Sequence, residues 1–75
     1  MAIGYTTELR ALFKLLPRSE EEKATGDIFG YHAWLTRSRM AGLINEAEWA
    51  RFLVFPFESL RRMERDVEEN VQYNF

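Results

Sequence analysis

The eight residues Gly42-Leu43-Ile44-Asn45-Glu46-Ala47-Glu48-Trp49 contain the end of one helix and the start of the next. Glycine is the residue that most readily adopts the left-handed conformation with which helices stop, so Gly42 predicts a helix C-terminus. Three residues later, Asn45 and Glu48 are spaced for a reciprocal capping box: the Asn side chain accepts from the Glu48 backbone N–H, and the Glu48 carboxylate accepts from the Asn45 N–H. Ile44 and Trp49 are spaced to staple across the new helix start. A helix-turn-helix corner from Gly42 to Asn45 therefore predicts an all-α architecture.

Length decides how much such a corner can support. With 75 residues the chain makes a single domain, 1–75, whose surface is large relative to its core. It contains no Cys, so neither a disulfide framework nor a thiolate zinc site is available, and a reducing, cytoplasmic setting is expected. Residues 1–5 lack the basic start and apolar run of a signal peptide, and no stretch approaches the roughly 18 apolar residues of a membrane span. At 47% hydrophobic, with six Phe, three Tyr and two Trp, the chain is too apolar to remain disordered. Small domains often close their stability deficit by oligomerising, so a homodimer is expected.

Leu9, Leu12, Phe13 and Leu16 are spaced i, i+3, i+4, i+7, the pattern of one helical face. They predict a first helix from about Thr7 to Leu16, capped by Thr6 or Thr7 and stopped by Pro17. Ser19 to Glu22 is a second capping box with three carboxylates in its first turn, which predicts a short helix. From there one helix can run unbroken to Met40, or Thr25-Gly26-Asp27 can form a hinge recapped at Asp27 and followed by a longer helix from Ile28 to Met40, the reading preferred here. A third helix starts after Asn45, and Pro56 breaks the chain again ahead of a final helix. Its exposed face is expected to carry the i, i+4 pairs Glu58–Arg62, Arg62–Asp66 and Arg65–Glu69, and Asn70 to Phe75 reads as a short tail. The whole is expected to be a small bundle of three principal helices plus a short one, packed on Leu9, Leu12, Phe13, Leu16, Ile28, Tyr31, Leu35, Trp49, Phe52, Leu60, Met63 and Val67.

No cofactor, metal or catalytic constellation is expected. His32 is the only histidine, and its helical neighbours Ile28 and Thr36 offer no carboxylate to orient it. The acids Glu20, Glu21, Glu22 and Asp27 are explained by capping and solvation. A net charge of −2 provides no global attraction to nucleic acid. The helix after the corner opens with Glu46 and Glu48, which would face phosphates, so nucleic acid is not an expected partner. Clusters at Arg37 and Arg39 and from Arg61 to Arg65 keep a small DNA-binding regulator as the runner-up.

The run Phe52-Leu53-Val54-Phe55-Pro56-Phe57 holds more large apolar groups than one helix face can turn inward. Val54 with Phe55 or Phe57 is expected at the surface, where exposed apolar patches mark interaction sites. Aromatic and arginine side chains anchor interfaces, and Trp34, Arg37, Phe55, Phe57, Arg61, Tyr73 and Phe75 are expected partly outside as partner-binding residues. The function this implies is a small regulatory or inhibitory module that binds a larger protein and occludes its surface. By analogy, that is the manner of small accessory proteins of bacteria and their phages.

Overall fold

The computed structural model describes residues 3–73, and the side chains of residues 6–69. Among them are five helices: α1 (Ile3–Leu15), α2 (Glu20–Ala24), α3 (Asp27–Met40), α4 (Glu46–Leu53) and α5 (Phe57–Tyr73). The three long helices are α1, α3 and α5, and two short ones make the turns between them. α3 packs against α2, α4 and α5, while α1 lies along α5.

The corner forms as its residues dictate. Gly42 has φ +79°, its N–H donates to the Arg39 carbonyl and the Leu43 N–H to the Ser38 carbonyl (both 3.0 Å). These are the two bonds of a Schellman stop. Both N–H to side-chain bonds of the Asn45–Glu48 box are present, at 2.8 and 2.9 Å. Ser19 and Glu22 make the same reciprocal box at the start of α2. The hinge lies where expected, but Gly26 at φ +115° is the N-cap of α3, without a side-chain cap, and Asp27 is already helical. The first helix begins at Ile3 rather than Thr7, so Thr6 and Thr7 lie inside it instead of capping it. Pro56 separates two helices: its carbonyl accepts the first bonds of α5, from Ser59 and Leu60 N–H.

The core is built from Leu9, Leu12, Phe13, Tyr31, Trp34, Leu35, Ile44, Phe52, Leu60, Met63 and Val67, with Trp49, Leu53, Phe55 and Phe57 packed against it half-buried. Two expectations are exchanged. Ile28 is exposed, whereas Trp34 is wholly buried. On a wheel of 100° per residue, Tyr31, Trp34, Leu35 and Ser38 span one inward arc of α3 with Ile28 at its edge. Trp34 stacks flat on Phe13 (centroids 4.1 Å apart, planes 5° apart), and its indole N–H donates to the Leu16 carbonyl at 2.6 Å. Leu16 is only half-buried.

A polar cluster ties the helices together beside this core. Arg18, in the loop between α1 and α2, donates from Nε and Nη2 to the two carboxylate oxygens of Glu64 in α5 (2.8 and 2.7 Å). Its guanidinium lies 3.9 Å from the centroid of the Tyr31 ring, and the Tyr31 hydroxyl donates to Glu64 Oε1 at 2.9 Å. Burial alone would lower the Arg18 pKa, but the hydrogen bond and charge of Glu64 outweigh it and hold the arginine more firmly protonated. Burial and the Glu64 charge together push the Tyr31 phenol well above its ordinary value, so it stays a donor. Around this pair, Lys23 bonds Glu68 at 2.9 Å, Arg10 meets Asp66 at 3.6 Å, and Arg61 pairs with Asp27. Asp66 thus serves α1 instead of the i, i+4 partner Arg62. The charges of α5 join helices rather than decorate one.

Gly30 allows this closeness. A Cβ there would overlap the backbone carbonyl of Glu22 and sit 2.9 Å from Arg18 Nη1. Replacing it with Ala adds about 1 kcal/mol of helix propensity but forces α2 off α3, an overpacking cost of roughly 1–3 kcal/mol. Gly30→Ala is therefore expected to lower the urea midpoint of unfolding, whereas a site limited only by propensity would show it raised.

Candidate functional site

Where α4 ends, the chain must turn within three residues. Leu53 closes the helix, Val54 is its C-cap, the Phe55 N–H returns to the Phe52 carbonyl at 3.1 Å, and Pro56 launches α5. This tight turn cannot send consecutive side chains into one core. Phe52 goes inward at 1% exposure, Val54 stands out at 81%, and Leu53, Phe55 and Phe57 are left half-buried between them. They form one wall of a concavity of about 220 Å³ facing α3, completed by Ile28, Tyr31, His32, Phe52, Pro56 and Leu60.

This groove is apolar and carries little reactive chemistry. His32 is its one imidazole, no carboxylate lines it, and the Tyr31 hydroxyl is committed to Glu64. Among the described residues no group of three His, Asp or Glu side chains is placed to hold a metal ion, and no helix is long and apolar enough to cross a membrane. At the groove's edge, Arg61 lies over the Phe57 ring (5.6 Å from its centroid) and pairs with Asp27. It also lines a second concavity, of about 230 Å³, with Glu58, Arg62 and Arg65.

The residues singled out in the sequence are distributed unevenly around this site. Phe55, Phe57 and Arg61 come together at the groove. Trp34 does not belong to any exposed surface, because its full burial and its bond to Leu16 make it a core residue. Arg37 is fastened elsewhere: Nε and Nη2 donate to the Glu22 carboxylate (both 2.8 Å), and Nη2 also donates to the Pro17 carbonyl at 2.9 Å. The hydrogen bond from Arg37 holds the Glu22 carboxyl below its ordinary pKa despite burial. The side chain of Tyr73 and all of Phe75 lie outside the described residues, although the backbone of α5 runs helical to Tyr73 through what reads in sequence as a tail.

Sequence reasoning misses Ile28 and His32 as groove residues. The available signal is their place on the wheel, at the edge of the inward arc of α3 and on the side that α4 and α5 approach. Arg39 is likewise engaged, 3.6 Å from Glu46 and over the Trp49 ring at 4.8 Å.

No family model, curated protein or solved structure matches this chain. The functional reading therefore rests on the groove and its surroundings.

The exposures make a direct contrast in stability. Val54→Ser should change the unfolding free energy by no more than about 0.5 kcal/mol, whereas Phe52→Ala, two residues away, should cost about 3–5 kcal/mol. Urea denaturation of the two variants measures this. A large loss at Val54 would mean that the residue is structural rather than available surface.

Proposed function

We propose that this chain is a small protein-binding module that occupies a surface of a larger partner protein through the groove of Ile28, Phe55 and Phe57, with Arg61 at its rim. It thereby blocks that surface to other ligands. The single observation that carries this reading is an apolar concavity lined by Ile28 at 52% exposure together with the half-buried Leu53, Phe55 and Phe57. Exposed apolar side chains around a partly preformed depression suit anchor residues from a partner, which gain affinity by leaving water. Regulation or inhibition follows from steric occlusion and requires no reactive group in the groove. Charged neighbours such as Arg61 contribute selectivity and encounter rate more than affinity.

A DNA-binding role would fall to Arg61, Arg62 and Arg65. Glu58 shares their concavity and Asp27 neutralises Arg61, while Arg37 and Arg39 are paired with Glu22 and Glu46. These pairings favour the protein-binding reading.

Affinity capture from cell extract tests the proposal with Phe57→Asp and Ile28→Asp, both in the groove, beside wild type, and with Leu15→Asp, an exposed α1 residue, as the control. Circular dichroism confirms that each is folded. The expected outcome is a partner protein lost from both groove variants, at least about 30-fold weaker as for an interface hot spot, and kept by Leu15→Asp. Equal capture by all four proteins, or capture that depends on nucleic acid, would overturn it.

A further inference from the structure

The arginines at the start of α5 are of two kinds. Arg61 is committed, pairing with Asp27 of α3 and lying over the Phe57 ring. Arg62 and Arg65 are exposed, and among the described residues neither forms an ion pair. The carboxylates that helical spacing offers them are used elsewhere or stand apart: Asp66 meets Arg10 of α1, and Glu58 shares their concavity without pairing with either. Arg61 and Arg62 each lie one turn from Arg65, so the three guanidiniums border one cup of about 230 Å³.

We propose that this cup is an acid-binding extension of the apolar groove, and that the partner segment seated there carries Asp or Glu side chains close to its apolar anchors. The inference rests on the protein-binding reading and names the chemistry of the partner. The two surfaces adjoin. Phe57 and Leu60 line the groove, Glu58 and Arg61, their neighbours in sequence, line the cup, and the Arg61 guanidinium over Phe57 joins them.

Charge complementarity selects this occupant. Each unpaired guanidinium presents a planar fork of donors that matches a carboxylate, and a purely apolar segment would leave both forks unanswered. Phe57 and Arg65 are about 12 Å apart along the helix axis, a span that an extended segment covers in roughly four residues. The acids therefore belong within about four positions of the apolar anchors. A phosphate backbone fits less well. Every phosphate brings a charge toward Glu58, Asp27 already neutralises Arg61, and two free cations release too few counterions to hold a duplex. The apolar groove alongside would have nothing to bury.

Selection from a library of displayed random peptides about twelve residues long, which extended reach roughly 40 Å, tests the proposal on the immobilised full chain. Peptides selected by wild type should combine apolar side chains with Asp or Glu within about four positions. The double variant Arg62→Gln, Arg65→Gln, with helicity checked by circular dichroism, should select the apolar residues without the acids, and Ile28→Asp should lose the apolar ones. A peptide selected by wild type should bind the double variant at least about tenfold more weakly, with the difference narrowing at high salt. It should bind Lys14→Gln, which removes an exposed α1 cation, as it binds wild type. Apolar peptides without acids, or equal binding by the double variant, would overturn this inference and leave the groove reading standing. Acidic peptides that lack apolar residues and ignore Ile28→Asp, or no selected peptides, would overturn both. Random-sequence duplex DNA retained by wild type at low salt and released by the double variant would assign the cations to phosphates and overturn the inference as well.

Discussion

The bidentate contact between Arg18 and Glu64 joins residues 46 positions apart in sequence and decides how the other elements can be arranged. Arg18 sits in the loop that leaves α1, and the same loop is held twice more: the Leu16 carbonyl accepts from Trp34 and the Pro17 carbonyl from Arg37. One short segment is thus fixed to α5 and to two turns of α3 at once. Backbone carbonyls that a helix end leaves without partners are satisfied by side chains of α3. A buried ion pair is a weak source of net stability, because desolvation offsets most of its attraction. Its value here is geometric: only one placement of α5 brings Glu64 to both Arg18 and the Tyr31 hydroxyl.

That constraint explains how a five-residue helix persists. α2 is far too short to be stable alone, but its first turn is capped by Ser19, its Glu22 is held by Arg37, and its Lys23 reaches Glu68 of α5. Gly30 allows the Glu22 backbone to lie directly against α3. The core that results is small, and much apolar surface is left over. Part of it collects in the groove beside Phe55 and Phe57, and part on the outer face of α3, at Phe29 and Met40.

What the sequence made legible was local. Gly42, the Asn45–Glu48 box and the Ser19–Glu22 box each depend on groups within a few residues and place helix ends where they occur, whereas Thr25-Gly26-Asp27 left one helix or two open and suggested Asp27 as the cap that Gly26 supplies. α1 was harder, since its start at Ile3 has no capping signal and the threonines downstream suggested one. On α3 the wide apolar arc leaves the inward direction undetermined until neighbours are known, which is why Ile28 and Trp34 changed places. The ion pairs were opaque for the same reason: Glu64, Asp66 and Glu68 look like one solvated helix face, yet they answer to Arg18, Arg10 and Lys23 on other elements. Within the groove, Phe55, Phe57 and Arg61 were legible as surplus aromatic and cationic groups. Ile28 and His32 enter only through the packing of α3 on the α4–α5 turn.

The arrangement stands or falls with the Arg18–Glu64 pair, and a double-mutant cycle measured by urea unfolding tests it directly with Arg18→Met, Glu64→Gln and the double variant. Removing Arg18 alone should strand the Glu64 carboxylate and cost about 3–5 kcal/mol. Adding Glu64→Gln, which keeps an acceptor for Tyr31, should recover at least about 1 kcal/mol of that loss. Strictly additive effects, or a single-variant cost below about 1 kcal/mol, would contradict the central place given to this contact.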